Sequence, residues 1–211
     1  MHPTKARKPI WTYSADCGYT TPRIFQPEAP RFSVRAESWA IAADEPPRHY
    51  ETVLDLAGFD RWLGRIDAAE LTAIATVTTS VEPMTARLVG LSLSVAPYAG
   101  CYIPLAHRYT GAPDQLPIEM VLARLRPWLE SPAKRKVGRN LKYDMHVLAN
   151  HGVRFAGLEH DTLLQAYVLE AHRNNALDAL AERHLERRVL TYQEVAGKGA
   201  KSIGFDQVEV A

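Results

Sequence analysis

The chain has 211 residues, 46% of them hydrophobic and 23% charged, which are the proportions of a soluble globular protein with one ordinary domain and some further segment. Its 25 Lys and Arg against 24 Asp and Glu leave a net charge of +1, which excludes a strong field for a polyanion, so nucleic-acid binding must rest on local sites. The two cysteines, Cys17 and Cys101, lack metal-ligand spacing, and no run approaches the ~18 apolar residues of a membrane span or follows Lys5, Arg7 and Lys8 as a signal core would; a reducing cytoplasm is the expected setting.

Seven of the 14 prolines lie within residues 1–47, with no persistent helical or alternating pattern between them. Residues 1–48 therefore read as a proline-rich, poorly ordered arm or linker, and residues 49–211 as the domain. Phe59, Trp62, Leu63 and Ile66 recur at i, i+3, i+4, i+7 and predict an amphipathic helix. Leu71–Thr78 is rich in β-branched residues, Leu88–Val95 alternates Leu and Val with Gly and Ser, and Gly100–Leu105 follows closely enough to be its hairpin partner. These three predict an antiparallel unit.

Pro117 opens a helix with Val121, Leu122, Leu125, Trp128 and Leu129 on one face, and Pro132 ends it. Lys136–Gly138 suits a brief buried strand. Asn140 reads as the N-cap of a helix that runs to Gly152, Asp161 as the cap of a helix with Leu164, Tyr167, Val168 and Ala171 inward, and Asn175 as the start of another carrying Leu177, Leu180 and Leu185. Strands followed by strand–helix units give an α/β class.

Four stretches in order carry a family likeness: Leu88–Val89–Gly90–Leu91–Ser92; Tyr102–Ile103–Pro104 with His107 and Ala112–Pro113–Asp114–Gln115; Val137–Gly138–Arg139–Asn140–Leu141–Lys142–Tyr143–Asp144; and Ala181–Glu182–Arg183 followed by Ala196–Gly197–Lys198–Gly199. Over roughly residues 50–211 they resemble the proofreading 3′→5′ exonuclease domain of bacterial DNA polymerase I. The resemblance implies a ribonuclease H-like fold with a mixed sheet flanked by helices, single-stranded DNA 3′ ends as substrate, Mg²⁺ or Mn²⁺ as cofactor and a polymerase domain in a longer parent protein. It matches Asp144 to a metal-binding aspartate and Asn140 to a neighbour that helps hold the terminal nucleotide. Tyr143 shares their helix face and is read, with Asn140, Tyr192 and Val81, as a nucleic-acid-binding residue. Tyr192 matches an aromatic near the bound 3′ end, and Val81 an apolar wedge. Read from the residues alone, Asn140 is a cap, Asp144 a solvated mid-helix residue, Tyr192 equally a core tyrosine and Val81 a turn-flanking valine.

Two divalent ions about 4 Å apart need a cluster of hard carboxylate oxygens. The likeness places the first motif, Asp-x-Glu, on Ala75–Thr76–Val77, so two of its carboxylates are absent, and the third motif, Tyr-x-x-x-Asp on a C-terminal helix, is not found. Asp144 alone remains of the four expected carboxylates, as a vestigial catalytic and metal position. Glu70 and Glu82 read as solvated loop acids, and the scattered histidines as surface or satisfied groups. Three functions follow: a degenerate proofreading domain with weak binding of single strands, an active metal-dependent exonuclease using other ligands, or a structural, partner-binding module.

Overall fold

The structure, a computed structural model, describes residues 47–199 and 202–210. Cys17 and nearly all of the expected arm lie outside the described residues. A six-stranded sheet is built from β1 (His49–Thr52), β2 (Leu71–Thr78), β3 (Leu88–Ala96), β4 (Ala99–Pro104), β5 (Arg135–Gly138) and β6 (Leu158–Asp161), in the order β1-β4-β3-β2-β5-β6. β2, β3 and β4 are antiparallel, as expected, while β1 joins β4, and β5 and β6 extend from β2, in parallel. The result is the mixed α/β sheet that the sequence implied.

The helices are α1 (Leu56–Ala68), α2 (Ile118–Leu129), α3 (Leu141–Asn150), α4 (Thr162–Glu170), α5 (Leu177–Leu185) and α6 (Tyr192–Ala196), with a 3-10 turn at Phe205–Gln207. Asp55 starts α1 by accepting from the Gly58 N–H at 2.7 Å, and the predicted stripe Phe59, Trp62 and Ile66 is buried. The predicted face of α2 is buried along its length. Both stripes pack with Leu141, Val147 and Leu148 of α3 against Ile74, Leu91, Leu93, Cys101 and Ile103 of the sheet in one apolar cluster.

Strand alternation sends the other side chains to the opposite face. Register aligns Tyr50, Gly100, Ser94 and Ala73 in one row and Thr52, Tyr102, Ser92 and Ala75 in the next. This second face, made mostly of small residues, lines an open cavity of about 720 Å³.

Three expectations fail. Asn140 does not cap α3 with its side chain: it sits at φ 61° and its own N–H is taken by Asp161, a partner 21 residues away. Leu164, Tyr167, Val168 and Ala171 are exposed, because among the described residues no sheet or helix covers that side of α4. Nor does Asn175 start α5; the Asn174 side chain accepts from the Ala176 N–H instead, and Leu177 and Leu185 are exposed.

Lys136 is fully buried on β5. Its ammonium donates to the carbonyls of Lys134 (2.7 Å) and Ser131 (3.2 Å) and lies 4.5 Å from the Trp128 ring centroid. Gly157, at φ 73°, leaves room for this pocket, since a Cβ there would stand 2.2 Å from the Lys134 carbonyl oxygen. Burial pulls the Lys136 pKa down from 10.5 to about 8. Between those values the unfolded chain holds a proton that the folded chain has lost, so this group's contribution to stability rises with pH from about 8 towards 10.5. Burial pushes the Cys101 thiol up to about 12, which opposes the rise above the thiol's ordinary 9. Urea unfolding between pH 8 and 9 is therefore expected to show wild-type stability rising relative to Lys136→Met; parallel profiles would remove Lys136 as the cause.

Candidate functional site

β5 pairs with only the first three residues of β2 and then turns into α3, so the C-terminal half of β2 meets a helix where a strand would otherwise lie. Gly138 permits the turn. A Cβ there would stand 2.4 Å from Leu141 Cδ2 and 2.8 Å from the Ile74 carbonyl oxygen. The first turns of α3 consequently press against β2.

Asp144 fills the gap. One carboxylate oxygen accepts from the Thr76 N–H at 2.8 Å and from the Thr76 hydroxyl at 2.6 Å, and the residue is 4% exposed. Burial raises its pKa above the ordinary Asp value, against the lowering by the two Thr76 bonds. One helical step away, the Tyr143 hydroxyl donates to the Ser80 carbonyl and bonds with the Thr78 hydroxyl. The solvated mid-helix reading of Asp144 is thereby corrected: it and Tyr143 tie α3 to the end of β2.

Asp161 holds the helix starts. Its carboxylate accepts from the Asn140 and Leu141 N–H groups at 3.0 and 2.7 Å and from Leu163 and Leu164 at 2.9 and 3.3 Å, serving the N-termini of α3 and α4 together. These bonds outweigh the upward effect of its burial and leave its pKa lowered. The sequence showed the second cap through Asp161 preceding a helical run; the first is a tertiary contact without a local signal. Asn140 is exposed, and its side chain makes no cap bond.

The remaining candidates lie on β2, in the loop after it and on α6. Ala75 is exposed and Val77 half-buried, on the sheet face away from the apolar core. Val81, in the loop after β2, is 94% exposed. Tyr192 is 52% exposed rather than a core residue; its hydroxyl donates to the Ile203 carbonyl at 3.0 Å and its ring lies 6.1 Å from that of Phe205. The Phe205–Gln207 turn lies beside β2. It is secured by the Asp206 carbonyl, which accepts from the Arg108 N–H, and the Val208 carbonyl, which accepts from buried His107 Nδ1 at 2.9 Å. His107 Nε2 accepts from the Tyr102 hydroxyl at 2.6 Å.

A family profile described as 3′-5′ exonuclease matches residues 50–208. The chain belongs to this family. DNA polymerase I of Pseudomonas aeruginosa is 44% identical over 164 residues, covering 76% of this chain and 18% of that protein. The chain thus spans about a fifth of the length of such relatives. A structure titled the POL domain of Pol1 from M. smegmatis, in complex with DNA primer-template and dNTP, shares 26% identity at a TM-score of 0.55, covering 66% of this chain and 23% of that one. The catalytic core of RRP6 from Trypanosoma brucei, at 11% identity and a TM-score of 0.54, covers 71% of this chain and 38% of that one, and shows the fold alone. The domain is therefore of the DNA polymerase I 3′→5′ exonuclease type, with the ribonuclease H-like architecture.

Exonucleases of this family depend on divalent metal ions. The residues present here do not fit a two-metal centre. Ala75 and Val77 offer no donor atom, and Asp144 Oδ1 is occupied by two Thr76 donors. Asp161, whose charge Asp144 feels, is committed to four amides. Among the described residues no three His, Cys, Asp or Glu side chains converge to hold an ion.

Asp144→Ala would leave the Thr76 N–H and hydroxyl without an acceptor, and is expected to cost about 2–4 kcal/mol. Asp144→Asn retains an acceptor and removes a carboxylate whose ionisation burial disfavours; since the folded pKa is raised, the group's own contribution is lost as pH rises through it, and Asn is expected to cost under ~1 kcal/mol at neutral pH. Asp161→Ala orphans four amides at an expected cost of about 1–3 kcal/mol. Its lowered pKa gives the opposite pH sign: the wild-type advantage is present above the ordinary Asp range and is lost as pH falls through the depressed value. Urea titrations of the three variants against wild type at pH 3–8 check both signs.

Proposed function

We propose that this chain is a proofreading-type 3′→5′ exonuclease domain that binds the 3′ end of single-stranded DNA weakly and has little or no catalytic activity. Residues 49–211 form that domain, residues 1–48 act as an arm or linker, and the cytoplasm is its setting. A polymerase domain in a longer parent protein is its natural neighbour, consistent with relatives several times its length. The observation that carries the reading is the exchange at β2: two apolar side chains stand at the positions matched to metal ligands, and the remaining aspartate is bonded to Thr76.

The retained features suit binding. Tyr192 presents an exposed ring, Val81 an exposed apolar side chain and Asn140 an exposed amide. Base–aromatic stacking contributes about 1–3 kcal/mol in single-strand binders and tolerates any sequence. The hydroxyl of Tyr143 is bonded within the protein and holds the platform rather than a ligand. Among the described residues no carboxylate cluster stands ready to hold ions on the attacking and leaving oxygens, so these residues can orient a strand end but supply no strong nucleophile.

Purified protein with a 5′-labelled oligonucleotide and Mn²⁺ is expected to release no more than trace mononucleotide, while binding the same oligonucleotide in EDTA with an affinity that Tyr192→Ala lowers by about 1–3 kcal/mol. Robust metal-dependent degradation abolished by Asp144→Ala would establish an active enzyme instead. A large rise in thermal stability on adding Mn²⁺ to the wild-type chain would reveal a metal site. The repaired pair Ala75→Asp with Val77→Glu is the chain expected to show that rise, because converging acids repel until an ion joins them.

A further inference from the structure

An alanine at position 75 leaves the sheet's open side without the negative charge that the family likeness places there. Thr52, Tyr102, Ser92 and Ala75 lie in one row across β1, β4, β3 and β2, and Arg139 follows the end of β5, the strand that pairs with the start of β2. Arg139 and the residues of the row all line the 720 Å³ cavity. The groove is therefore floored by small side chains and lined in part by Arg139.

That guanidinium is poorly compensated. Nη2 donates to the Asn175 carbonyl at 3.1 Å, Nε is enclosed without a partner, and no described carboxylate forms an ion pair with Arg139. Glu51 is the acid lining the groove, and its two oxygens are taken by the Arg61 guanidinium and, at 2.9 Å, the Trp62 indole N–H. Asp144 is turned to Thr76. A half-buried cation beside an apolar floor, with the neighbouring acids committed elsewhere, favours an anion with several acceptor oxygens, and Arg matches phosphate by paired N–H donation.

We propose that the groove holds the terminal phosphate of a 3′-phosphorylated single strand on Arg139, without a metal ion. The inference rests on the reading that this strand end receives a 3′ terminus, and adds the chemistry of that terminus. A 3′-phosphate presents a dianion to Arg139 where a 3′-hydroxyl presents a neutral group. An aspartate at position 75, which lines the same cavity, would repel that dianion.

Fluorescence anisotropy of the full chain in EDTA, with 5′-labelled oligonucleotides of one sequence ending in either a 3′-phosphate or a 3′-hydroxyl, tests this. The phosphorylated end is expected to bind roughly tenfold tighter. Arg139→Gln is expected to abolish that ratio while leaving the 3′-hydroxyl strand's affinity within about twofold, Arg139→Lys to keep part of it, and Ala75→Asp to reduce it with Arg139 intact. Circular dichroism confirms folding of each variant. Equal affinities for the two ends, or a preference that survives Arg139→Gln, overturn the inference and leave weak binding of single strands standing. Failure to bind either oligonucleotide overturns both. A dimer in sedimentation that Ser92→Leu converts to monomer would also overturn it, because the groove would then be filled by a second copy.

Discussion

The arrangement around β2 depends on the carboxylate of Asp144 taking the place of a strand. β5 leaves the sheet at Gly138, and beyond that point Thr76 on β2 has an N–H that finds its acceptor in Asp144. A buried backbone donor without a partner costs about as much as a lost hydrogen bond, so this single contact lets a helix succeed a strand beside β2. Tyr143 repeats the device one step further along, through Ser80 and Thr78. Because both residues are on the first turns of α3, the orientation of that helix and the end of β2 are fixed together. Asp161 fixes the same turns from the other side.

The sheet's two faces were legible from alternation alone. In β3 the leucines Leu91 and Leu93 enter the core while Ser92 and Ser94 face the groove, and the i, i+3, i+4 stripes of α1 and α2 find that core as expected. The strands β1 and β6 were not legible. Each has four residues with little apolar alternation, His-Tyr-Glu-Thr and Leu-Glu-His-Asp, and each is held at a sheet edge by parallel pairing to a distant strand. Such pairing leaves no turn signal in the local sequence, unlike the β3–β4 hairpin.

Local reasoning also misassigned the start of α3. Asn is a common cap, but Asn140 adopts a left-handed conformation, which this residue type tolerates, and Asp161 supplies the acceptor. The site's membership was therefore better seen through the motif Asn140–Asp144 than through cap statistics. The motif named Asn140, Tyr143 and Asp144; it did not single out Arg139, which draws notice only because it lines the cavity with Ala75 and has no ion pair to a described carboxylate. Helix α4 failed for a related reason. Its apolar residues Leu164, Tyr167 and Val168 predicted an inward face, yet burial depends on a neighbour that the described residues do not provide.

The absence of acids at positions 75 and 77 and the bonding of Asp144 are consistent with each other physically. Three carboxylates converging on one strand end repel, and a fold that gathers them relies on bound cations or on raised pKa values to relieve the strain. With Ala75 and Val77 in place, Asp144 meets two neutral donors from Thr76 and feels the charge of Asp161, whose carboxylate is bonded to four amides. The strand end thus closes without an ion. Arg139 lines the same cavity as Ala75, with Nη2 donating to the Asn175 carbonyl and no ion pair to a described carboxylate. The recognition proposed for the groove rests on that one basic side chain beside Ala75 in the cavity lining, so its test is the charge at positions 75 and 139.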